Sequence, residues 1–288
     1  MIDLKRCSLA AALGALSVTA GPVPATAQPA ATPVATIEAV QGTIVRWSVP
    51  GTKVCGMGKR SWTALQETCY YPIDMLHAPG QVRVSRKGVG AASFAHISVV
   101  ASSYGTRDIL LGDIPQANPS PADLRRNARD QALVAKVWTR REGPARFTLP
   151  LGAPAAPLPK AEDFGAKWVF DAKPDSSEVH SGVDYAVGLG TPVMALADGT
   201  VVIAEDLFFT GKAVFVDHGN GLVSMYFHFS EIKVQAGQDV KKGETLGLVG
   251  STGRVTGPHL HLGVRWHDAR IDPQPLVEDP AKIPALAQ

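Results

Sequence analysis

Net charge is nearly absent from this chain. Its 28 Lys and Arg against 26 Asp and Glu leave a formal +2 over 288 residues. With no long basic run either, there is no electrostatic case for a nucleic-acid partner. Cysteine is scarce: three residues are too few for a disulfide-rich miniature scaffold. No segment after the N-terminus reaches 18 apolar residues, which excludes a polytopic membrane class. What remains is 45% hydrophobic, 19% charged and 7% aromatic. That is enough apolar material for a sizeable core, and it argues against disordered or fibrous chains.

Residues 1–27 read as a secretory signal peptide. Lys5 and Arg6 form a basic start, Ser8 to Ala20 is a short apolar stretch, and Ala25-Thr26-Ala27 offers a small-x-small cleavage site. Cys7 precedes the apolar stretch, on the wrong side for a lipid anchor. Cleavage after Ala27 leaves length for about two domains, placed in the periplasm or secreted, with no membrane span left. Export would put Cys55 and Cys69 in an oxidising compartment, where an even pair tends to close. The loop of about 15 residues would then contribute roughly 3 kcal/mol in the chain-entropy account. Two reduced, packed thiols are the plainer alternative. No second cysteine pair follows at zinc-ribbon spacing.

Residues 28–37, rich in Pro and Ala, read as a flexible lead-in. Over 38–104, β-branched runs such as Gly42–Val49, Gln81–Ser85 and His96–Val100 alternate and are split by turns, predicting a small antiparallel, sandwich-like β domain. A linker follows over 105–158, with a helix at about 121–140. Ser120 supplies its N-cap, Pro121 its first position and Asp123 an acid three residues on. Leu124, Ala128, Val134, Ala135 and Trp138 form an apolar stripe, with Arg125, Arg126, Arg129 and Lys136 on a solvated face. The stretch 143–160 is rich in Pro, Gly and Ala and marks a boundary.

From 159 to 278 the chain reads as strands again, with a tail at 279–288. Pro192–Leu196 and Thr200–Ala204 flank Ala197-Asp198-Gly199 as a hairpin, and Ala213–Asp217 and Leu222–Tyr226 flank His218-Gly-Asn-Gly221 likewise. The glycines form neither a P-loop nor a dinucleotide fingerprint.

Six of eight histidines fall in this last domain. Side chains two apart on a strand share a face, so His259 and His261 point to one side and Leu260 to the core. His180 and Asp184 also have even spacing, and Gly182 between them allows close approach. Two imidazoles and a carboxylate suit a borderline-soft divalent ion, zinc first, with a position left open for water. Each pair alone is as readily a satisfied core feature. Together in one β domain, with His228 on a nearby strand, they point to a metal.

His180-Ser-Gly-Val-Asp184-Tyr-Ala, Gly190-Thr-Pro-Val-Met-Ala195, Ala197-Asp-Gly-Thr-Val201, Asp217-His-Gly-Asn-Gly221, Tyr226-Phe-His228, Val240-Lys-Lys-Gly243 and Gly250-Ser-Thr-Gly-Arg-Val-Thr-Gly-Pro-His-Leu-His261 occur in that order. The succession resembles the LytM/lysostaphin-type M23 zinc metallopeptidases over roughly residues 160–276. The resemblance implies an antiparallel β-sheet peptidase domain of the duplicated hybrid motif type. It also implies one Zn2+ per chain on His180, Asp184 and His261, with His228 and His259 as the catalytic pair. The substrate implied is the stem peptide of bacterial peptidoglycan, hydrolysed at its cross-links by a zinc-activated water. Two alternatives stay open: a non-enzymatic LytM-like regulator that activates cell-wall amidases, and a zinc peptidase for protein substrates. The β module could bind wall, cover the groove or act as a spacer.

Glu178 stands where the family often has a basic residue, and Leu262-Gly263 follows the His-x-His pair where many members have glutamate. Both departures bear on groove contacts. His218 matches a turn position with no metal role, and His77, His96 and His267 are read as surface or satisfied residues.

Overall fold

The computed structural model describes residues 35–139, 143–173 and 175–287. The signal peptide and most of the expected lead-in lie outside them. No helix among the described residues is long and apolar enough to cross a membrane.

The N-terminal module has two sheets. One runs in the order Thr36–Val40, Ser93–Val100, Gly80–Lys87, Val54–Met57, Arg60–Thr63, and the other pairs Ile44–Ser48 with Thr68–Pro72. Val45, Trp47, Tyr71, Ile73, Val84 and Ile97 fill the space between them. A disulfide joins fully buried Cys55 and Cys69, one from each sheet, and so staples the two. Thr36 and Ile37, expected in the lead-in, belong to an edge strand. That strand runs parallel to Ser93–Val100, the exception in an otherwise antiparallel module. A strand so distant in sequence from its neighbour is not bound by hairpin geometry.

The linker region is more ordered than its composition implies. Thr106–Ile109 pairs parallel with Lys167–Phe170, which pairs antiparallel with Ser177–Val179, forming a three-stranded sheet beside the site. The helix spans Pro121–Ala135 and carries a full capping box, with Ser120 and Asp123 each receiving the other's backbone N–H. Of the predicted stripe only the C-terminal part packs, with Val134 and Trp138 against the core. Leu124 is 52% exposed, and no helix residue is buried. Instead Arg126 donates to the Asp206 carbonyl at 2.8 Å, Asp130 accepts from Phe208 N–H at 2.7 Å, and Leu133 and Val134 touch the core. Docking is therefore partly polar, which a hydrophobic pattern cannot reveal.

The C-terminal domain is built on one antiparallel sheet in the order Asp239–Val240, Gly199–Leu207, Gly211–Asp217, Leu222–Ile232, Leu260–Trp266, Val183–Tyr185, Ala161–Glu162. Thr245–Val249 pairs with Leu222–Ile232 and, on its other side, with Pro192–Met194. The hairpin at His218–Gly221 forms as expected. The one at Ala197–Gly199 does not, because Pro192–Met194 pairs with Thr245–Val249 and not with Gly199–Leu207. Asp198 turns the chain differently: its carboxylate accepts from Lys242 N–H at 2.9 Å and pairs with the Lys241 ammonium at 2.8 Å. The core behind the sheet includes Tyr185, Val214, Tyr226, Phe229, Leu260, Leu262 and Trp266.

The tail returns to the N-terminal module. Arg46 N–H donates to Pro284, Leu286 N–H donates to Arg46, and Leu286 is buried in the module's core. Arg270 adds a two-pronged ion pair to Asp74, and Trp62 stacks on His267 at 4.1 Å. His267 is thereby buried and in contact.

Candidate metal centre

Antiparallel pairing puts Asp184 directly opposite His261, and His261 directly opposite Phe227 on the next strand. His180 reaches in from the turn just before Val183–Tyr185. His180 Nε2 lies 2.9 Å from His261 Nδ1 and 3.2 Å from Asp184 Oδ1, and the latter two atoms are 3.0 Å apart. For a tetrahedral zinc with arms of about 2.0–2.1 Å, ligand atoms stand about 3.3 Å apart. Two imidazole nitrogens and a carboxylate oxygen on nearly that triangle fit the ion. Both imidazoles are held from behind. His180 donates its Nδ1–H to the Asp163 carbonyl at 2.9 Å, so its Nε2 lone pair faces the triangle. Trp168 stacks on the His180 ring at 4.0 Å, and Phe227 stacks on His261 at 4.9 Å.

Gly182 is required by packing. A Cβ there would stand 2.5 Å from the Leu262 carbonyl oxygen and 2.6 Å from His261 Nε2. Leu260 faces the core, fully buried, as the alternation predicts.

Electrostatics support a charged carboxylate beside neutral His228 and His261. Burial works against ionisation of Asp184, but its contacts with the His180 and His261 rings outweigh it and hold the carboxyl below its usual range. Burial lowers the pKa of His261. His228 is pushed down to about 3, first by burial and then by the neighbouring His261 and His259.

His228 and His259 flank the triangle with ring centres 4.9 Å apart. Each gives its Nδ1–H to a backbone carbonyl: Thr252 at 2.8 Å for His228, Gly257 at 2.9 Å for His259. Carbonyls only accept, so both Nε2 atoms carry lone pairs. His259 Nε2 is buried without a hydrogen-bond partner, 3.7 Å from Asp184 Oδ1. His228 has φ +68°, a left-handed conformation rare for a side-chain-bearing residue, beside a register shift in its strand. Such strain persists where surrounding structure imposes it, and it concentrates at functional sites.

A groove of about 330 Å³ opens onto His180, His228 and His261, lined also by Trp168, Glu178, Phe209 and Arg254. The Asp163 carbonyl, Trp168 and Arg254 had no assigned role in the sequence reading. Asp163 and Trp168 lie before the first motif, in a stretch where the sequence offered no pattern. His218 sits apart, buried, between the Asp198 carbonyl and the Ser224 hydroxyl. His77 and His96 are not among the site groups.

Residues 178–273 match the model of peptidase family M23. This segment is an M23 peptidase domain. Over 82 residues (28% of this chain) it is 48% identical to the peptidoglycan DD-endopeptidase ShyA of Vibrio cholerae. Over 98 residues (34% of this chain) it is 46% identical to the DD-carboxypeptidase/endopeptidase Mpg of Neisseria meningitidis. The matched parts span 19% and 21% of those relatives, about a fifth of their length. A crystal structure assigned to peptidase M23 from Pseudomonas aeruginosa is similar over far more. It covers 83% of this chain and 94% of its own, at 29% identity and a TM-score of 0.62. The likeness thus extends well outside the M23 domain.

Proposed function

We propose that the protein is an exported zinc metalloendopeptidase that hydrolyses peptide cross-links in bacterial peptidoglycan. The observation that carries this is a three-ligand metal triangle flanked by two histidines whose Nδ1–H groups are tied to backbone carbonyls, which leaves their Nε2 atoms for proton transfer. His180, Asp184 and His261 would hold the ion. A zinc ion bound there supplies Lewis acidity toward a water molecule and a peptide carbonyl oxygen. The chain's own groups do the rest. Backbone carbonyls of Thr252 and Gly257 lock the tautomers of His228 and His259, so an Nε2 of this pair can accept a proton from the attacking water and return one to the leaving amine. The stacked Trp168 and Phe227 rings keep the ligands from turning away. Identity with relatives named as peptidoglycan DD-endopeptidases supports the substrate class. The basic and apolar start of the sequence, with a buried disulfide, supports export to an oxidising compartment.

The test is digestion of purified sacculi with chromatography of the released muropeptides, before and after chelation and with zinc restored. Cross-linked dimers should fall to monomers with zinc-replete protein only. Absence of products from every wall preparation, with zinc bound, would replace this reading with the regulator.

A further inference from the structure

Arg254 is the one lysine or arginine lining the groove beside the metal triangle among the described residues. Its guanidinium packs over two aromatic rings, 4.2 Å from the Phe170 centroid and 4.6 Å from that of Phe209. Its backbone N–H donates to the Phe209 carbonyl at 2.8 Å. A planar cation held against two rings has little rotamer freedom left to lose on binding. Its charge partner is Glu178, and the two sides of that ion pair are unlike. The Arg254 side chain is 17% exposed and belongs to the groove wall, whereas Glu178 is 45% exposed on Ser177–Val179, a strand exposed along its whole length.

We propose that Arg254 anchors a carboxylate of the substrate peptide close to the scissile bond, and that Glu178 occupies that position until the peptide arrives. The proposal rests on the peptidase reading and narrows its substrate to peptides bearing a free carboxylate there. A guanidinium matches a carboxylate with two parallel hydrogen bonds, and the plane of Arg254, held against the two rings, fixes the angle at which one can dock. Exchange is feasible because an ion pair with one exposed partner contributes little, so an incoming carboxylate displaces Glu178 at small cost. Arg254 lies five residues before His259 on the same loop, which couples peptide position to the proton-transfer pair.

The experiment compares two synthetic cross-linked peptides that differ only in having a carboxylate or a carboxamide beside the scissile bond. Wild-type protein should favour the acid. In Arg254→Ala the acid-to-amide ratio of kcat/KM should fall about 10- to 100-fold, the usual cost of removing a charged hydrogen-bond partner. Glu178→Gln should raise the preference for the acid, mainly through a lower KM. Binding of a non-cleavable acid peptide, followed by NMR titration, should weaken in Arg254→Ala and strengthen in Glu178→Gln. An unchanged ratio in an Arg254→Ala protein that keeps its zinc and its melting temperature would overturn the proposal. If that variant does not fold, Glu178→Gln decides alone, and unaltered acid binding overturns it. Cleavage of neither peptide by wild type, with the binding differences intact, would count against the peptidase reading and leave the anchor standing.

Discussion

Asp184 and His261 form a cross-strand pair, directly opposed on neighbouring antiparallel strands with 3.0 Å between Oδ1 and Nδ1. The sheet's own register thus brings two of the three candidate ligands together, and only His180 depends on a turn. A site built on paired strands is stiffer than one built on loops, which sharpens what substitution should do.

Replacing His180, Asp184 or His261 with alanine should empty or greatly weaken the metal site. His228→Ala and His259→Ala should keep near-stoichiometric zinc and lose most activity, about 10²- to 10⁴-fold for a proton-transfer group. Elemental analysis alongside muropeptide release separates the two classes. Zinc lost from His259→Ala but kept in His261→Ala would reverse the assignment within that pair.

Gly182→Ala tests positioning. The added methyl would meet a backbone oxygen at 2.5 Å and the His261 ring at 2.6 Å, and the backbone oxygen cannot swing aside. The expected outcome is a tenfold or greater loss of zinc affinity, the scale seen when groups that orient a ligand are altered. Competition with a chromogenic chelator measures it, and wild-type affinity would refute the packing argument.

His218 should make stability depend on pH. It is fully buried and its pKa is pushed down to about 4 by burial. The unfolded chain takes up this proton near pH 6.5, while the folded chain resists until about pH 4. Unfolded protein therefore binds more protons between these values, and stability falls as pH falls through that window, by about 3 kcal/mol from this residue. Urea midpoints at pH 7, 6, 5 and 4.5 should drop more steeply in wild type than in His218→Asn. Parallel curves would assign the acid sensitivity elsewhere.

The disulfide should be felt in the N-terminal module. Removing it as Cys55→Ala with Cys69→Ala should cost roughly 3 kcal/mol by loop entropy. Denaturant unfolding with and without reductant provides the check: wild type in reductant should approach the double variant.

The clustering of the site residues was legible because its parts are local. His259 and His261 stand two apart, so even spacing predicts their shared face, whereas His180 joins Asp184 from a turn that Gly182 makes possible. What surrounds them was not legible. The Asp163 carbonyl and the Trp168 ring meet His180 through a sheet whose first strand, Thr106–Ile109, lies about sixty positions upstream of its partner. Pairing of Pro192–Met194 with Thr245–Val249 is also long-range, and it displaced a hairpin that turn chemistry favoured. The helix misled for another reason: its docking bonds are made by Arg126 and Asp130, charged residues that hydrophobic periodicity assigns to solvent.

The burial of Leu286 within the first module has a consequence in time. A ribosome releases the chain from its N-terminus, and domains usually fold in the order they emerge. Here the module built around Arg46 must wait for Leu286, beyond the whole M23-matched segment, before its interior is filled. A domain begun before the M23 segment is thus completed only after it, and a nascent chain stalled inside that segment would expose an incomplete β-sandwich.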